Sequence, residues 1–206
     1  MKKNLILAFF SLILLVFFMI LYFFYQQKPG PLPCLCCGSL SRQEVCFSPE
    51  EKCDLKLIQY IKNAKKSLNI AIFDITLAPL TEAIIEQSKK IPVKILVDSR
   101  QTKHHYSLVS EFIHSPAEVR FGSQRGIMHH KFAIIDHRIL QTGSFNYTGG
   151  ASHFNQENQI YLWNPHIIRR YQMQFDKIWE KGRKATFTQN KKPFTKRKLR
   201  QKSRVI

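Results

Sequence analysis

Two different patterns of apolar residues divide this chain. From Leu5 to Tyr25 the sequence is apolar at every position except Ser11, so a helix there would be apolar on all sides rather than along one stripe. At about 1.5 Å per residue it would cross about 30 Å of hydrocarbon, which predicts one N-terminal transmembrane helix. Beyond it the apolar residues come in short, periodic pieces. Ser48 to Asn63 predicts an amphipathic helix, with Ser48 as N-cap, Pro49 at the first helical position, Glu51 completing a capping box, and Leu57, Ile58 and Ile61 on one stripe. Leu68 to Ile75 and Val93 to Asp98 read as buried strands, and the stretch from about Leu80 to Lys90 between them reads as a helix, giving a β-α-β unit. Two further apolar runs, Lys131 to Asp136 and Ile139 to Leu140, predict a pair of strands. Gln159 to Trp163 predicts another strand. Pro165 to Lys181 predicts a closing helix with Ile168, Tyr171, Phe175, Ile178 and Trp179 on one face.

The ends of the chain add topology to this picture. The N-terminal run is too long for a signal peptide's apolar core, and Gln26 to Pro31 offers no small-residue cleavage site, which favours an uncleaved signal anchor. Lys2 and Lys3 precede it while Lys28 and Arg42 follow more sparsely, so the positive-inside tendency puts the N-terminus in the cytoplasm and the remainder in a periplasmic or other extracytoplasmic space. The formal net charge is +18, and part of it is local: no acidic residue follows Glu180, whereas ten lysines and arginines follow Gly182. Such a tail cannot bury a core and is expected to be disordered alone. It suits a polyanion, an anionic lipid surface, or simple solvation. The division expected is an anchor over 1–27, a cysteine-containing linker over 28–44, an α/β domain over 45–182 and a basic tail over 183–206.

All five cysteines, Cys34, Cys36, Cys37, Cys46 and Cys53, precede or open the first domain helix. Disulfides fit an exported domain and zinc fits a cytosolic one. Lipid attachment is a third use, disfavoured by Pro33 directly before Cys34. The other histidines, His104, His105, His114, His137, His153 and His166, have no metal-ligand spacing and read as surface or core residues.

One segment carries chemistry. His129 and Lys131 lie two apart at the start of an apolar run, so a strand would direct both to one face. His130 between them would face away. Gly143 ends the next run, where its missing side chain allows an anion to approach the backbone, Ser144 offers a hydroxyl and Asn146 an amide. Breaking a phosphodiester requires a nucleophile, a proton donor for the leaving oxygen, and donors against the charged phosphoryl oxygens. A histidine with an unperturbed pKa of about 6.5 can be nucleophile or acid. Lys131, Ser144 and Asn146 would form the clamp that a metal supplies elsewhere, so no metal or other cofactor is expected. Asp98-Ser99-Arg100 ends a parallel strand at the edge where open α/β sheets bind ligands, and reads equally as a strand terminus and turn.

His129, Lys131, Asp136, Gly143, Ser144 and Asn146 match every fixed position of H-x-K-x4-D-x6-G-S/G-x-N. In this the chain resembles the phospholipase D superfamily. Phe47-Ser48-Pro49, the extension Tyr147-Thr148, Gln156-Glu157-Asn158 and Trp163-Asn164 are similar to its single-motif subgroup, the bacterial Nuc-type endonucleases and mitochondrial phospholipase D-like proteins. The resemblance implies a mixed sheet flanked by helices and a homodimer in which each subunit gives one motif. It also implies a phosphohistidine on His129, with the partner's copy protonating the leaving group. Glu157 matches the family's acid that orients the histidine ring, and Asp136 and Gly143 are read as motif scaffold. Three functions are compatible. The first is a membrane-anchored endonuclease cutting DNA or RNA, favoured by the basic charge. The second is a phospholipase acting on anionic phospholipids such as cardiolipin. The third, an idle nucleic-acid-binding protein, is disfavoured because a binding module needs no such combination.

Overall fold

The computed structural model describes residues 42–122 and 125–186, with Leu14, Leu15, 17–20 and Tyr22 from the N-terminal region. The chain divides into two units, Met1–Leu40 and Ser41–Ile206. In the first, the described residues are helical and exposed, and among the described residues no helix is long and apolar enough to cross a membrane. Most of the expected anchor, the triplet Cys34, Cys36 and Cys37, and the tail past Thr186 lie outside the described residues.

The second unit is built on one eight-stranded sheet. Its strands are β1 (Gln43–Ser48), β2 (Leu68–Ile72), β3 (Val93–Val97), β4 (Glu118–Phe121), β5 (Lys131–Ile135), β6 (Ile139–Gly143), β7 (Glu157–Leu162) and β8 (Arg183–Lys184). Its helices are α1 (Cys53–Lys62), α2 (Ala78–Ser88), α3 (Val109–Ile113), α4 (Gly149–His153) and α5 (Pro165–Lys181). The spatial order is β1-β7-β6-β5-β2-β3-β4-β8. β2, β3 and β4 are parallel, and every other pairing is antiparallel. This is the mixed sheet flanked by helices that the family resemblance implies.

Alternation along the central strands explains the layers. Leu68, Ile70 and Ile72 of β2, with Ala133 and Ile135 of β5, join the core that includes Leu57 and Ile61 of α1 and Leu80 and Ile84 of α2. Ala71 of β2, with Phe132 and Ile134 of β5, joins a second core against Ile168, Phe175 and Trp179 of α5. A strand with apolar residues on both faces belongs in the middle of a sheet covered on both sides, which is why these short runs carry no polar alternation.

The first helix begins later than its sequence signal. Ser48 ends β1, opposite Glu157, instead of capping a helix, and α1 starts at Cys53. The capping-box pair has other partners: Ser48 Oγ donates to the Ala151 carbonyl at 2.7 Å, and Glu51 accepts from the Phe47 N–H at 3.1 Å. The turn between β1 and α1 contains a cis Ser48–Pro49 peptide and is closed by a Cys46–Cys53 disulfide. At the other end, β8 pairs with β4 beyond Gly182, and Ala185 N donates to the Val119 carbonyl.

Candidate active site

The β5–β6 hairpin places one set of motif residues at each of its ends. At the turn, Asp136 and His137 both have positive φ, 56° and 55°, and Arg138 N donates to the Ile135 carbonyl at 2.9 Å, as in a type I′ connection. The Asp136 carboxylate accepts from the backbone N–H groups of Lys65, Lys66 and Ser67 at 2.6 to 3.1 Å. Burial alone would raise its pKa, but these three donors and the Lys66 charge outweigh it and hold the carboxyl below its usual value. Asp136 ties the hairpin to the segment that leads into β2.

The open end faces the C-terminal ends of β2 and β3. His129 sits just before β5, on a loop fixed by Asp98: one oxygen of this buried carboxylate accepts from Met128 N and the other from Arg100 N, both at 2.8 Å. The imidazole packs against Phe73, with ring centroids 4.5 Å apart. Lys131 opens β5 and lies over the same Phe73 ring at 5.1 Å. Its Nζ is 3.2 Å from His129 Nε2 and donates to the His129 carbonyl at 3.1 Å. An ammonium beside Nε2 uses that nitrogen as an acceptor in the neutral ring.

Across from them, β6 and β7 bring Gly143, Ser144 and Glu157 together. Gly143 has φ +150°, and a Cβ built there would stand 2.1 Å from the Asn158 carbonyl oxygen. No larger residue fits this approach. Ser144 Oγ donates to Glu157 and accepts from Asn158 N, and Asn155 Nδ2 donates to the other Glu157 oxygen at 3.2 Å. Within one chain the hydrogen bonds of Glu157 thus run to Ser144 and Asn155, while the ring of His129 meets Lys131 and Phe73. Asn146 Oδ1 is buried with no hydrogen-bond partner among the described residues, a costly state that a donor N–H or O–H brought by a ligand or a partner subunit would relieve.

Charge in this end of the sheet is poorly solvated. Burial lowers the Lys131 pKa, and the carboxylates of Glu157 and Asp74 work against that. Burial raises the Asp74 pKa, opposed by the Ile75 N–H, His104 and Lys131. His130 is lowered by burial and then by the neighbouring Lys131 and His129 charges. Its ring lies 5.5 Å from Phe132, a residue of the α5-side core. Among the described residues, a cluster with metal-ligand geometry is formed by Cys46, Glu51 and Cys53, whose two sulfurs are bonded to each other.

Sequence reasoning missed Phe73, Asp74 and His104 as members of this region. The available signal was the polar Asp74 interrupting the apolar run from Leu68 to Ile75, directly beyond a parallel strand. Asn155 also belongs to this region through its contact with Glu157, whereas His153 is exposed.

A histidine–lysine pair and a serine–carboxylate pair thus share the open end of a mixed sheet. The family model described as "Cardiolipin synthase, PLD-like domain" matches residues 57–179, and the chain belongs to this phospholipase D-like family, a superfamily of phosphodiesterases. Within it the chain stands with the single-motif subgroup. It is 35% identical over 144 residues to the mitochondrial cardiolipin hydrolase of Chlamydomonas reinhardtii, a match covering 69% of this chain and 65% of the relative, slightly under two thirds of that protein's length. It is 31% identical over 134 residues to the phospholipase D of Rickettsia bellii, covering 65% of this chain and 67% of the relative. Among solved structures, Nuc of Salmonella typhimurium, a phospholipase D family member, aligns with a TM-score of 0.67 and 27% identity over 71% of this chain and 99% of Nuc. NucT of Helicobacter pylori aligns with a TM-score of 0.63 and 25% identity over 70% of this chain and 99% of NucT.

Proposed function

We propose that this chain is a membrane-anchored, metal-independent phosphodiesterase that hydrolyses nucleic-acid backbones in a homodimeric site. The observation that carries the reading is the 3.2 Å approach of Lys131 Nζ to His129 Nε2, which sets a nucleophile beside a cation for the phosphoryl oxygens. His129 of one subunit attacks phosphorus, forming an N–P bond as the P–O bond to the leaving group breaks. The second copy of His129 gives its proton to the leaving oxygen. That same imidazole then takes a proton from water, whose oxygen bonds to phosphorus as the N–P bond breaks, freeing His129 and the phosphomonoester. One motif supplies one histidine, so two roles call for two chains. Lys131, Ser144 and Asn146 hold the phosphoryl oxygens, Ser144 by turning its one hydroxyl proton away from Glu157, and Glu157, so released, orients the imidazole when the dimer assembles, a role like that of the acid in a catalytic triad.

Nucleic acid is favoured as substrate by the net charge of +18 and by similarity to Nuc and NucT over nearly their full lengths. Anionic phospholipid is the second reading, favoured by the apolar run from Leu5 to Tyr25 and by the cardiolipin hydrolase name of the algal relative. The Cys46–Cys53 disulfide supports an oxidising, extracytoplasmic location for the domain, with the N-terminus in the cytoplasm.

The test is the full chain in detergent beside its His129→Asn variant, given single-stranded DNA, duplex DNA, RNA and cardiolipin vesicles in the presence of chelator. Nucleic-acid cleavage lost in the variant is the expected result. Lipid hydrolysis alone would move the assignment to a phospholipase, and inactivity of a folded dimer on all four would leave a binding protein.

A further inference from the structure

Asp74 stands two residues beyond Ile72, the strand partner of Lys131, at the end of the sheet that carries the His129–Lys131 pair. Its main chain is fixed: Tyr147 N donates to the Asp74 carbonyl at 3.1 Å, Ile75 bridges Tyr147, and Thr76 and Leu77 N both donate to the Tyr147 carbonyl at 2.9 Å. The residue before it, Phe73, is the ring against which His129 and Lys131 pack. The residue before Tyr147 is Asn146. Asp74 is thus pinned between the aromatic floor of the site and the loop that carries its amide, and its charge is felt by Lys131. No position of the family motif calls for this acid.

A negative charge here opposes every phosphate ligand, and it opposes a doubly charged one more. A phosphodiester carries one charge. A phosphomonoester, whose second pKa is about 6, carries nearly two at neutral pH. Hydrolysis of a diester yields such a monoester, so the same acid that slightly weakens substrate binding strongly disfavours retention of product. We propose that Asp74 is a specificity-determining residue that admits monoanionic diesters and expels dianionic phosphate products. The proposal rests on the phosphodiesterase reading for its biological sense, while the charge discrimination is measurable without turnover.

The experiment uses the full chain in detergent with Asp74→Asn, Asp74→Ser and Asp74→Glu. Binding of sulfate, a dianion throughout the working pH range, is compared by calorimetry with that of dimethyl phosphate, a monoanionic diester. Turnover of a chromogenic diester is followed in parallel. Asn and Ser are expected to tighten sulfate binding about tenfold and dimethyl phosphate binding about threefold, and Glu is expected to restore the wild-type ratio. A sulfate-to-diester ratio unmoved by both Asn and Ser overturns the proposal. So does equal weakening of both ligands in all three variants, which marks a purely structural role. A shifted ratio without His129-dependent turnover of any diester would sink the hydrolase reading and leave the charge filter standing.

Discussion

Two acids, Asp136 in the turn of the β5–β6 hairpin and Asp74 on the segment that follows β2 beside the hairpin's open end, have opposite surroundings. At the turn, Asp136 is surrounded by three backbone donors and its carboxyl is held below its usual pKa. At the open end, burial pushes the Asp74 carboxyl up and the Lys131 ammonium down, and the amide oxygen of Asn146 has no partner among the described residues. A polar group whose hydrogen bonds are all made locally is part of the scaffold. One left short of partners in a low-dielectric site gains most from a ligand. The motif therefore contains two kinds of residue, and their surroundings sort them.

The largest expected effect is at the open end. Lys131→Met should lower kcat by about 10²- to 10³-fold, the scale seen for removing one donor from a preorganised oxyanion site, with little change in the urea midpoint. An equal loss of stability would erase the distinction between the two ends. The reverse pattern is expected for Asp136→Ala: a stability loss of about 2 kcal/mol, because charge-assisted hydrogen bonds are lost and backbone donors left unpaired, with kcat retained in the folded fraction. Its pH dependence sharpens the contrast. The folded-state pKa of Asp136 is depressed, so its stabilisation is present above the unfolded value of about 3.9 and is lost as pH falls through the folded value. Urea titrations should therefore show the gap between wild type and Asp136→Ala closing in acid. The smallest effect belongs to Ser144→Ala, which removes one donor to Glu157. It should cost about fivefold in kcat/KM, near 1 kcal/mol, and leave the thermal midpoint within a few degrees.

The sequence is most legible where the two levels of pattern agree. β2, β3 and α5 follow from apolar runs and periodicity that packing reinforces, and the motif spacing locates both ends of the hairpin. Ser48-Pro49-Glu50-Glu51 misleads because the same donors and acceptors that cap a helix also close a strand-to-helix turn, and the pairing of Ser48 with Glu157 decides between them. That pairing spans more than a hundred residues and leaves no local trace. β4 is short, with only one fully buried residue in its pattern, so its sequence resembles a loop. Asp74 escaped notice for a related reason: the charges that act on its carboxyl, His104 and Lys131, and the main-chain partner Tyr147 are remote from it in the chain.

The sheet order has a practical consequence. The folded unit enters at β1 and leaves at β8, the two outermost strands of eight. At about 4.8 Å per strand spacing, these rims lie on the order of 30 Å apart before twist is counted. A donor dye near Arg42 and an acceptor near Thr186 would form a ruler laid across the molecule, at a separation well suited to energy transfer. Because the histidine–lysine pair lies at the start of β5, a middle strand of the sheet, both labels stand clear of it. The ruler would report the integrity of the whole sheet during turnover without touching the chemistry.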